Sequence, residues 1–262
     1  MDGGKAFAGR CAGGALCLLA LAGSFGRADD YAFSNFLAQA AWAEQRADLP
    51  AALAMLDRSA RLESTNATSL CVLARRYCDL IYLTNSVAVQ RDLVDRALAC
   101  SSQAVQADSK NATAHACLAV CYARGCAFAG LKTQLIYSRR FKQEAEQALA
   151  LDPKADIAYY LLGRWNYEIA RVGLLSRAYV KVVYGGLPRA SNQDAIANFQ
   201  KAIELAPDRI IHHAGLAMAL EAAGERQLAI AELKKCRVLK PSGPEDEEAQ
   251  RDAVKRLAAL DL

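Results

Sequence analysis

The sequence predicts an all-α fold: a right-handed α-solenoid of helical hairpins with lengthened helices and a C-terminal capping helix. Residues 195–207 and 229–241 carry one pattern, in which alanines, large apolar residues and a final proline recur at the same spacing. The two copies lie 34 positions apart (229 − 195). Apolar residues are 53% of the chain and only six residues are Pro, so the chain is too poor in turn residues for an all-β fold.

This pattern resembles the tetratricopeptide repeat, a helix-turn-helix unit of 34 residues. In such a unit, small residues stand where the two helices cross closely, and large residues fill the space between units. Counting outward from those small residues predicts five units within a repeat domain at 29–262. The units cover, in order, 33–66, 67–109, 112–153, 156–207 and 210–241, and a cap covers 244–260.

Units one and five are of ordinary length. Unit one places Ala40 at the close crossing and begins its second helix near Pro50, a residue that suits the first turn of a helix. Unit five places Ala217 and Ala229 at its crossing, with a turn at Gly224 between the helices. Both units therefore fit the simple repeat.

Units two, three and four are longer, because inserted residues separate their crossing positions. In unit two, 20 positions separate Tyr77 from Ala97 (97 − 77). The inserts carry apolar residues at helical spacing, which predicts lengthened helices. Unit four has the longest insert, which predicts an additional short helix over 174–184 before a break at residues 185–188.

The last segment predicts an amphipathic helix that caps the array. One side is charged, and the other carries Ala249, Val254, Leu257 and Leu260. A solenoid needs such a cap because its last unit would otherwise expose an apolar face.

Residues 1–28 have the layout of a secretory signal. Lys5 and Arg10 precede an apolar run at 11–23, and small residues lead to a cleavage position after Ala28. The run is shorter than the ~20 apolar residues that a membrane span needs. The expected mature chain is exported, to a periplasm or the exterior. The alternatives are an uncleaved anchor and a mitochondrial or cytoplasmic chain.

Seven of the nine cysteines follow the predicted signal, so at least one of them is unpaired. Cys71 and Cys78 share one predicted helix with Cα atoms ~10 Å apart, too far for a disulfide. A bridge from Cys100 to Cys117 or Cys121 stays open for an oxidising compartment; otherwise these thiols act as small core residues. No cysteine and histidine spacing suits zinc, and no metal site is predicted.

No pattern typical of catalysis or of cofactor binding occurs, so we expect neither an enzyme nor a cofactor. His115 and His213 fall in packing positions and are expected to be structural, whereas His212 is expected to be exposed. Asn66 and Asn111 match the glycosylation pattern, but their place just before a helix favours N-capping. The net charge of +4 gives no general affinity for polyanions, so no nucleic acid partner is expected.

Three further stretches are more specific than the general repeat. They read LLGRWNYEIA at 161–170, VYGGLPRAS at 183–191 and DAIANFQKAIELAP at 194–207. In this order and spacing they resemble the regulator of microtubule dynamics protein family, over about residues 31–257. The resemblance implies a non-enzymatic adaptor with a tetratricopeptide-like helical domain. In animals, members are associated with microtubules and with mitochondrial or reticulum membranes.

The first helix of each unit lines the concave face of such an array, which is where a partner is expected. We predict a binding groove formed by Arg75, Tyr160, Arg164 and Tyr167. Arginine can bind a carboxylate or phosphate through two hydrogen bonds, and tyrosine supplies contact area with a polar tip. Other candidates on this face are Leu37, Ala41, Thr68, Cys71, Thr113, Val120, Met218 and Glu221.

The sequence therefore predicts a protein-interaction scaffold that holds a protein or peptide partner in its concave groove. The alternative is a module that binds an anionic lipid or membrane surface through the basic inserts, since residues 132–189 hold ten Lys or Arg against five Asp or Glu. Microtubule association follows from the family resemblance alone and requires a cytoplasmic mature chain.

Overall fold

A computed structural model describes residues 28–62 and 66–260. These residues form twelve α-helices and a short 3₁₀ turn, Ile81–Leu83, with no β-strand among them. In chain order the helices are α1 (Ala28–Gln45), α2 (Leu49–Arg61), α3 (Ala67–Leu80), α4 (Val87–Ala107), α5 (Ala112–Cys126), α6 (Leu131–Leu151), α7 (Asp156–Ala170), α8 (Leu174–Tyr184), α9 (Asn192–Leu205), α10 (Ile210–Ala222), α11 (Arg226–Val238) and α12 (Pro244–Leu260). The predicted all-α solenoid is confirmed. Residues 1–27 of the predicted signal segment lie outside the described residues, and α1 begins at Ala28.

The helices pack as a row of hairpins. The pairs are α1 with α2, α3 with α4, α5 with α6, α7 with α9, and α10 with α11. The first helices of units two to five also contact one another, α3 with α5, α5 with α7, and α7 with α10. Alanines at the predicted crossings, such as Ala40, Ala74, Ala119 and Ala217, are fully buried. Small side chains at these positions let the helix axes approach closely.

A close crossing surrounds the ring of Phe199 on α9. A Cβ atom added at Gly163 on α7 would lie 2.8 Å from this ring, and one added at Gly215 on α10 would lie 2.4 Å from it. Phe199 is only 1% exposed, so its ring has no solvent to move into. The two glycines therefore make the space that the ring occupies between three helices.

Replacing Gly215 with Ala should lower the free energy of unfolding by about 2 kcal/mol, because the new methyl group overpacks a filled core. Alanine's higher helix propensity offsets roughly 0.5–1 kcal/mol of that cost. Urea unfolding measures the difference. Gly173→Ala is the matched control, since an added Cβ there meets nothing within 4 Å. Equal stability of the two variants would contradict the expectation.

The inserts lengthen the middle units as predicted. Helices α4 and α6 have 21 residues each, whereas α2 and α11 have 13. The insert of unit four forms α8, and Gly185, which caps its C-terminal end, is in the left-handed conformation with φ 82°. Within 28–62 and 66–260, no helix combines the length and the apolar character needed to cross a bilayer.

Helix α12 caps the array. Ala253 and Leu257 are buried against the core of unit five. Val254 was expected on this side but is 46% exposed, because the buried positions recur every four residues and Ala253 takes that place. The Asp246 carboxylate accepts a hydrogen bond from the backbone N–H of Ile211 at 3.1 Å, which fixes the start of α12 on α10.

The side chains of Asn66 and Asn111 cap the helices that follow them. Asn66 Oδ1 accepts a hydrogen bond from the backbone N–H of Thr68 at 2.8 Å, and Asn111 Oδ1 accepts one from that of Ala114 at 3.1 Å. Both amides satisfy backbone donors that a helix start leaves unpaired, as the sequence favoured.

His212 is buried, and its expected exposure was wrong. Its side chain is 0% exposed because α10 packs against α7, α9, α11 and α12. Its Nε2 atom lies 3.3 Å from a carboxylate oxygen of Asp156. Burial, with a smaller contribution from Arg209, lowers the pKa of His212 to about 4, so the ring is neutral at neutral pH.

All seven cysteines of the described chain have free thiols, so the bridge considered for Cys100 is not formed. The Sγ atoms of Cys78 and Cys121 lie 4.0 Å apart, and the thiol of Cys117 donates to the backbone oxygen of Cys71 at 3.7 Å. These contacts arise because α3 and α5 lie side by side. The thiol contacts therefore join the first helices of two units, not the helices of one hairpin.

Candidate functional site

A cavity of about 620 Å³ lies between α5, α6, α7 and α8, and we call it the central cleft. Its floor comes from α5 and α7, the first helices of units three and four. One end carries Arg124, Tyr160, Arg164, Glu168 and Glu245. The other walls are mainly apolar and include Val120, Leu131, Leu135, Phe141, Ile157, Leu161, Trp165, Ile169, Val172, Val180 and Leu187.

Trp165 forms a fixed wall of the cleft. Its ring is 2% exposed, and Nε1 donates to the backbone oxygen and to Oγ of Ser138 at 3.2 and 3.1 Å. The Lys142 ammonium lies 5.3 Å from the ring centre. Trp165 is thus part of the core, and the same ring borders the cavity.

Arg124 is held in place by a helix from the far end of the chain. Its guanidinium lies 2.8 Å from a carboxylate oxygen of Glu245 at the start of α12. It also lies 5.0 Å from the centre of the Tyr82 ring. Burial alone would lower the pKa of Arg124, but the Glu245 carboxylate raises it overall, so the charge persists. This arginine already has its partner.

Arg164 is more open. It donates to the hydroxyl of Tyr160 at 3.4 Å and lies 3.8 Å from a carboxylate oxygen of Glu168, beyond hydrogen-bond distance. The neighbouring Tyr160 oxygen raises the pKa of Arg164, so the guanidinium stays charged. Its side chain is 41% exposed. Arg164 therefore presents a charged, weakly engaged guanidinium to the cleft.

The structure brings together two of the four predicted groove residues. Tyr160 and Arg164 line the cleft. Arg75 is exposed on α3 and lies outside the cleft. Tyr167 is 7% exposed and its hydroxyl accepts a hydrogen bond from Arg171, so it is part of the core. The side of α7 that lines the cleft includes Leu161 and Arg164. Tyr167 lies just outside that side of the helix.

Two residues at the polar end were not among the predicted groove residues. Arg124 lies one helical turn after Val120, which was a concave-face candidate, so helical spacing alone was a usable signal. Glu245 belongs to the charged side of the predicted capping helix. Its contact with Arg124 on α5 depends on how the units between them stack, which no local pattern encodes.

Asp79 on α3 carries an unusual carboxyl group close to this end. Its side chain is 20% exposed and lies 4.0 Å from Arg76. Burial raises the pKa of Asp79 to about 6, and the Arg76 charge only partly opposes this. A buried carboxyl favours its neutral form, so ionisation at neutral pH costs folding free energy.

Asp79→Asn should therefore stabilise the protein at pH 7 by about 2 kcal/mol. The stability that depends on Asp79 is fully present below its unfolded pKa, and is lost as the pH rises from 3.8 through about 6. Urea unfolding at pH 5 and pH 7 measures the effect, and Asp95→Asn on the exposed side of α4 is the control. A variant that gains no stability between these pH values relative to wild type would refute the expectation.

His115 and His213 occupy equivalent packing positions in units three and five. Each Nδ1 lies 2.6 Å from a glutamate oxygen, of Glu144 and Glu232 respectively. Each Nε2 faces a backbone carbonyl oxygen, at 3.0 and 2.7 Å. Each ring therefore bridges a carboxylate of the second helix of its hairpin and a backbone carbonyl group, which holds the hairpin together. In the described part of the chain, no group of three His, Cys, Asp or Glu side chains could hold a metal ion.

The sequence matches one protein family over most of its length. The family described as regulator of microtubule dynamics protein 1-3 matches residues 36–261. Regulator of microtubule dynamics protein 3 of Xenopus laevis is 30% identical over 135 residues, 52% of this chain and 29% of that protein. Regulator of microtubule dynamics protein 2 of Homo sapiens is 27% identical over 188 residues, 71% of this chain and 46% of that protein. The chain spans less than half the length of each relative.

Solved structures share the fold at low sequence identity. A thermophilic TPR protein of Thermus thermophilus superposes with a TM-score of 0.58 and 17% identity, over 85% of this chain and 99% of that one. The pilF protein of Pseudomonas aeruginosa gives a TM-score of 0.51 and 14% identity, over 89% and 94% of the two chains. These likenesses establish the tetratricopeptide-like architecture.

Proposed function

We propose that this chain, which belongs to the regulator of microtubule dynamics protein family, is a non-enzymatic scaffold that binds a segment of a partner protein in the central cleft. The observation that carries the proposal is the open guanidinium of Arg164 beside an apolar wall. The expected segment presents an acidic group to Arg164 and a large apolar side chain to the wall around Trp165.

Arg164 is better suited than Arg124 to hold the acidic group. Arg124 already contacts Glu245 at 2.8 Å, whereas Arg164 is 3.8 Å from Glu168. A guanidinium can accept a carboxylate with two parallel hydrogen bonds, which fixes both the charge and the orientation of the partner. A carboxylate bound at Arg164 would replace the 3.8 Å contact with Glu168, and the 2.8 Å ion pair of Arg124 with Glu245 would stay intact.

The apolar wall supplies contact area. Phe141 and Trp165 are buried and held in place by the surrounding core, so little side-chain entropy is lost when a partner packs on them. Rigid aromatic walls that surround a few polar groups are the usual make-up of ligand sites. The cleft thus combines an apolar surface with one charged anchor.

Arg164→Ala should weaken peptide binding at least tenfold. A phage-displayed peptide library selected on the wild-type protein supplies the probe, and titration calorimetry measures affinity. Arg61→Ala on the exposed end of α2 is the control and should stay within twofold of wild type. Arg75→Glu reports whether the bound peptide extends to unit two. Selected peptides that bind Arg164→Ala and wild type equally would rule out the cleft.

A small amphiphile with an anionic headgroup is the second candidate occupant. A cavity of about 620 Å³ is in the range of small-ligand sites, and its charged and apolar ends suit such a molecule. Displacement of a fluorescent fatty acid by a selected peptide would place both ligands at one site. Microtubules are the partner that the relatives' names suggest, and cosedimentation with assembled microtubules tests that partner directly.

A further inference from the structure

Helix α8 turns its apolar side outward. Leu174, Leu175 and Val182 are 85%, 89% and 86% exposed, whereas Val180 is 4% exposed. At about 100° per residue, the three exposed side chains share one side of the helix and Val180 lies on the other. A surface helix normally shows the reverse arrangement, with its apolar stripe against the core.

Two residues on the inward side of α8 fix the helix with its apolar side outward. Arg177 donates to the backbone oxygen of Val172 at 2.9 Å and also to that of Ile169, so it caps the end of α7. Val180 fills a wall of the central cleft. These two anchors face the protein, and the aliphatic side chains opposite them have solvent as their neighbour.

The charged residues in and around α8 are all basic. Between Glu168 and Asp194 the chain contains no acidic residue. Lys181 and Arg189 are exposed, and neither forms an ion pair within the described residues. The basic residues of this stretch are Arg171, Arg177, Lys181 and Arg189.

We propose that α8 docks the protein on an anionic lipid bilayer. The helix has 11 residues and is therefore about 16 Å long, too short to span a membrane, so it lies in the plane of the interface. Leu174, Leu175 and Val182 enter the upper acyl region while Lys181 and Arg189 meet headgroup phosphates. An exposed aliphatic face bordered by uncompensated cations is complementary to that surface.

This surface is separate from the proposed peptide site, because it uses the outward side of α8. A protein partner fits the outward face less well, since protein interfaces combine an apolar centre with a polar rim that forms hydrogen bonds. The side chains of Leu174, Leu175 and Val182 offer no hydrogen-bonding group. Peptide binding that depends on Arg164 can therefore persist even where vesicle binding fails, and the two tests are independent.

Flotation of the full chain with vesicles tests the proposal. Wild type should bind phosphatidylcholine vesicles containing roughly 30% phosphatidylserine at least tenfold more strongly than vesicles of phosphatidylcholine alone. Leu175→Glu with Val182→Glu should lower binding at least tenfold. Lys181→Gln and Arg189→Gln should each lower it roughly fivefold. The matched control is Leu228→Glu with Val238→Glu on α11, where the native side chains are 56% and 76% exposed.

A local probe identifies the segment that touches lipid. Tryptophan in place of Leu174 should be quenched by brominated acyl chains, and tryptophan in place of Leu228 should not. Equal flotation of wild type and the Leu175→Glu, Val182→Glu variant would overturn the proposal, as would absence of quenching at position 174. A wild-type dimer that this variant converts to a monomer, with no vesicle binding, would assign the face to a second copy and overturn it too.

Discussion

Phe199→Ala is expected to lower the free energy of unfolding by about 4 kcal/mol. The ring is 1% exposed, and its centre lies 5.9 Å from that of Tyr160 in a tilted arrangement. Gly163 and Gly215 border the ring and have no side chains that could move into the space that its removal leaves. The cost is therefore that of the lost apolar contacts together with a cavity.

Urea unfolding followed by circular dichroism measures this loss. Phe36→Ala on α1 is the matched control, because Phe36 is only partly buried and its removal should cost about 1 kcal/mol. A Phe199→Ala variant no less stable than the control would show that α7, α9 and α10 can close over the gap. Restoring volume with Phe199→Leu should recover part of the stability.

Glu245→Gln is expected to cost about 3 kcal/mol, because it leaves the Arg124 charge partly buried without a carboxylate partner. The two side chains are 23% and 32% exposed, which places the effect at the lower end of the range for buried pairs. Arg124→Met with Glu245→Gln should be more stable than Glu245→Gln alone. A double-mutant cycle should give a coupling free energy above about 1 kcal/mol.

The control for this cycle lies on the same helix. Arg251 and Glu247 are 3.9 Å apart and are 62% and 58% exposed, so their coupling should be below about 0.5 kcal/mol. Equal coupling free energies in the two cycles would mean that water screens the ion pair of Arg124 and Glu245, and that this pair does not stabilise the fold.

The sequence was informative wherever packing repeats. Ala195 and Ala229 stand at close crossings because every hairpin needs a small residue there, and a period of 34 residues reveals such positions. The lengthened helices and the extra helix over 174–184 were also predictable, since their apolar residues recur at helical spacing. Residues whose neighbours come from a single hairpin were therefore placed well.

The site was harder to predict because its residues come from distant units. Arg164 and Tyr160 share one helix face, so their meeting followed from spacing. Glu245 lies in the segment after unit five, so its contact with Arg124 depends on how units three, four and five stack. His212 was expected in solvent because its burial depends on helices on both sides of α10. Such contacts have no signature in the local sequence.

The contact between α12 and α5 has a thermodynamic consequence for the whole array. In a linear repeat protein each unit interacts only with its neighbours, so unfolding can begin at an end and spread unit by unit, as in a one-dimensional Ising chain. Arg124 and Glu245 join unit three directly to the segment after unit five. Fraying of the C-terminal end must then break a contact two units away. We therefore expect units three to five to melt as one cooperative block, with slow and uniform amide hydrogen exchange from α5 to α12.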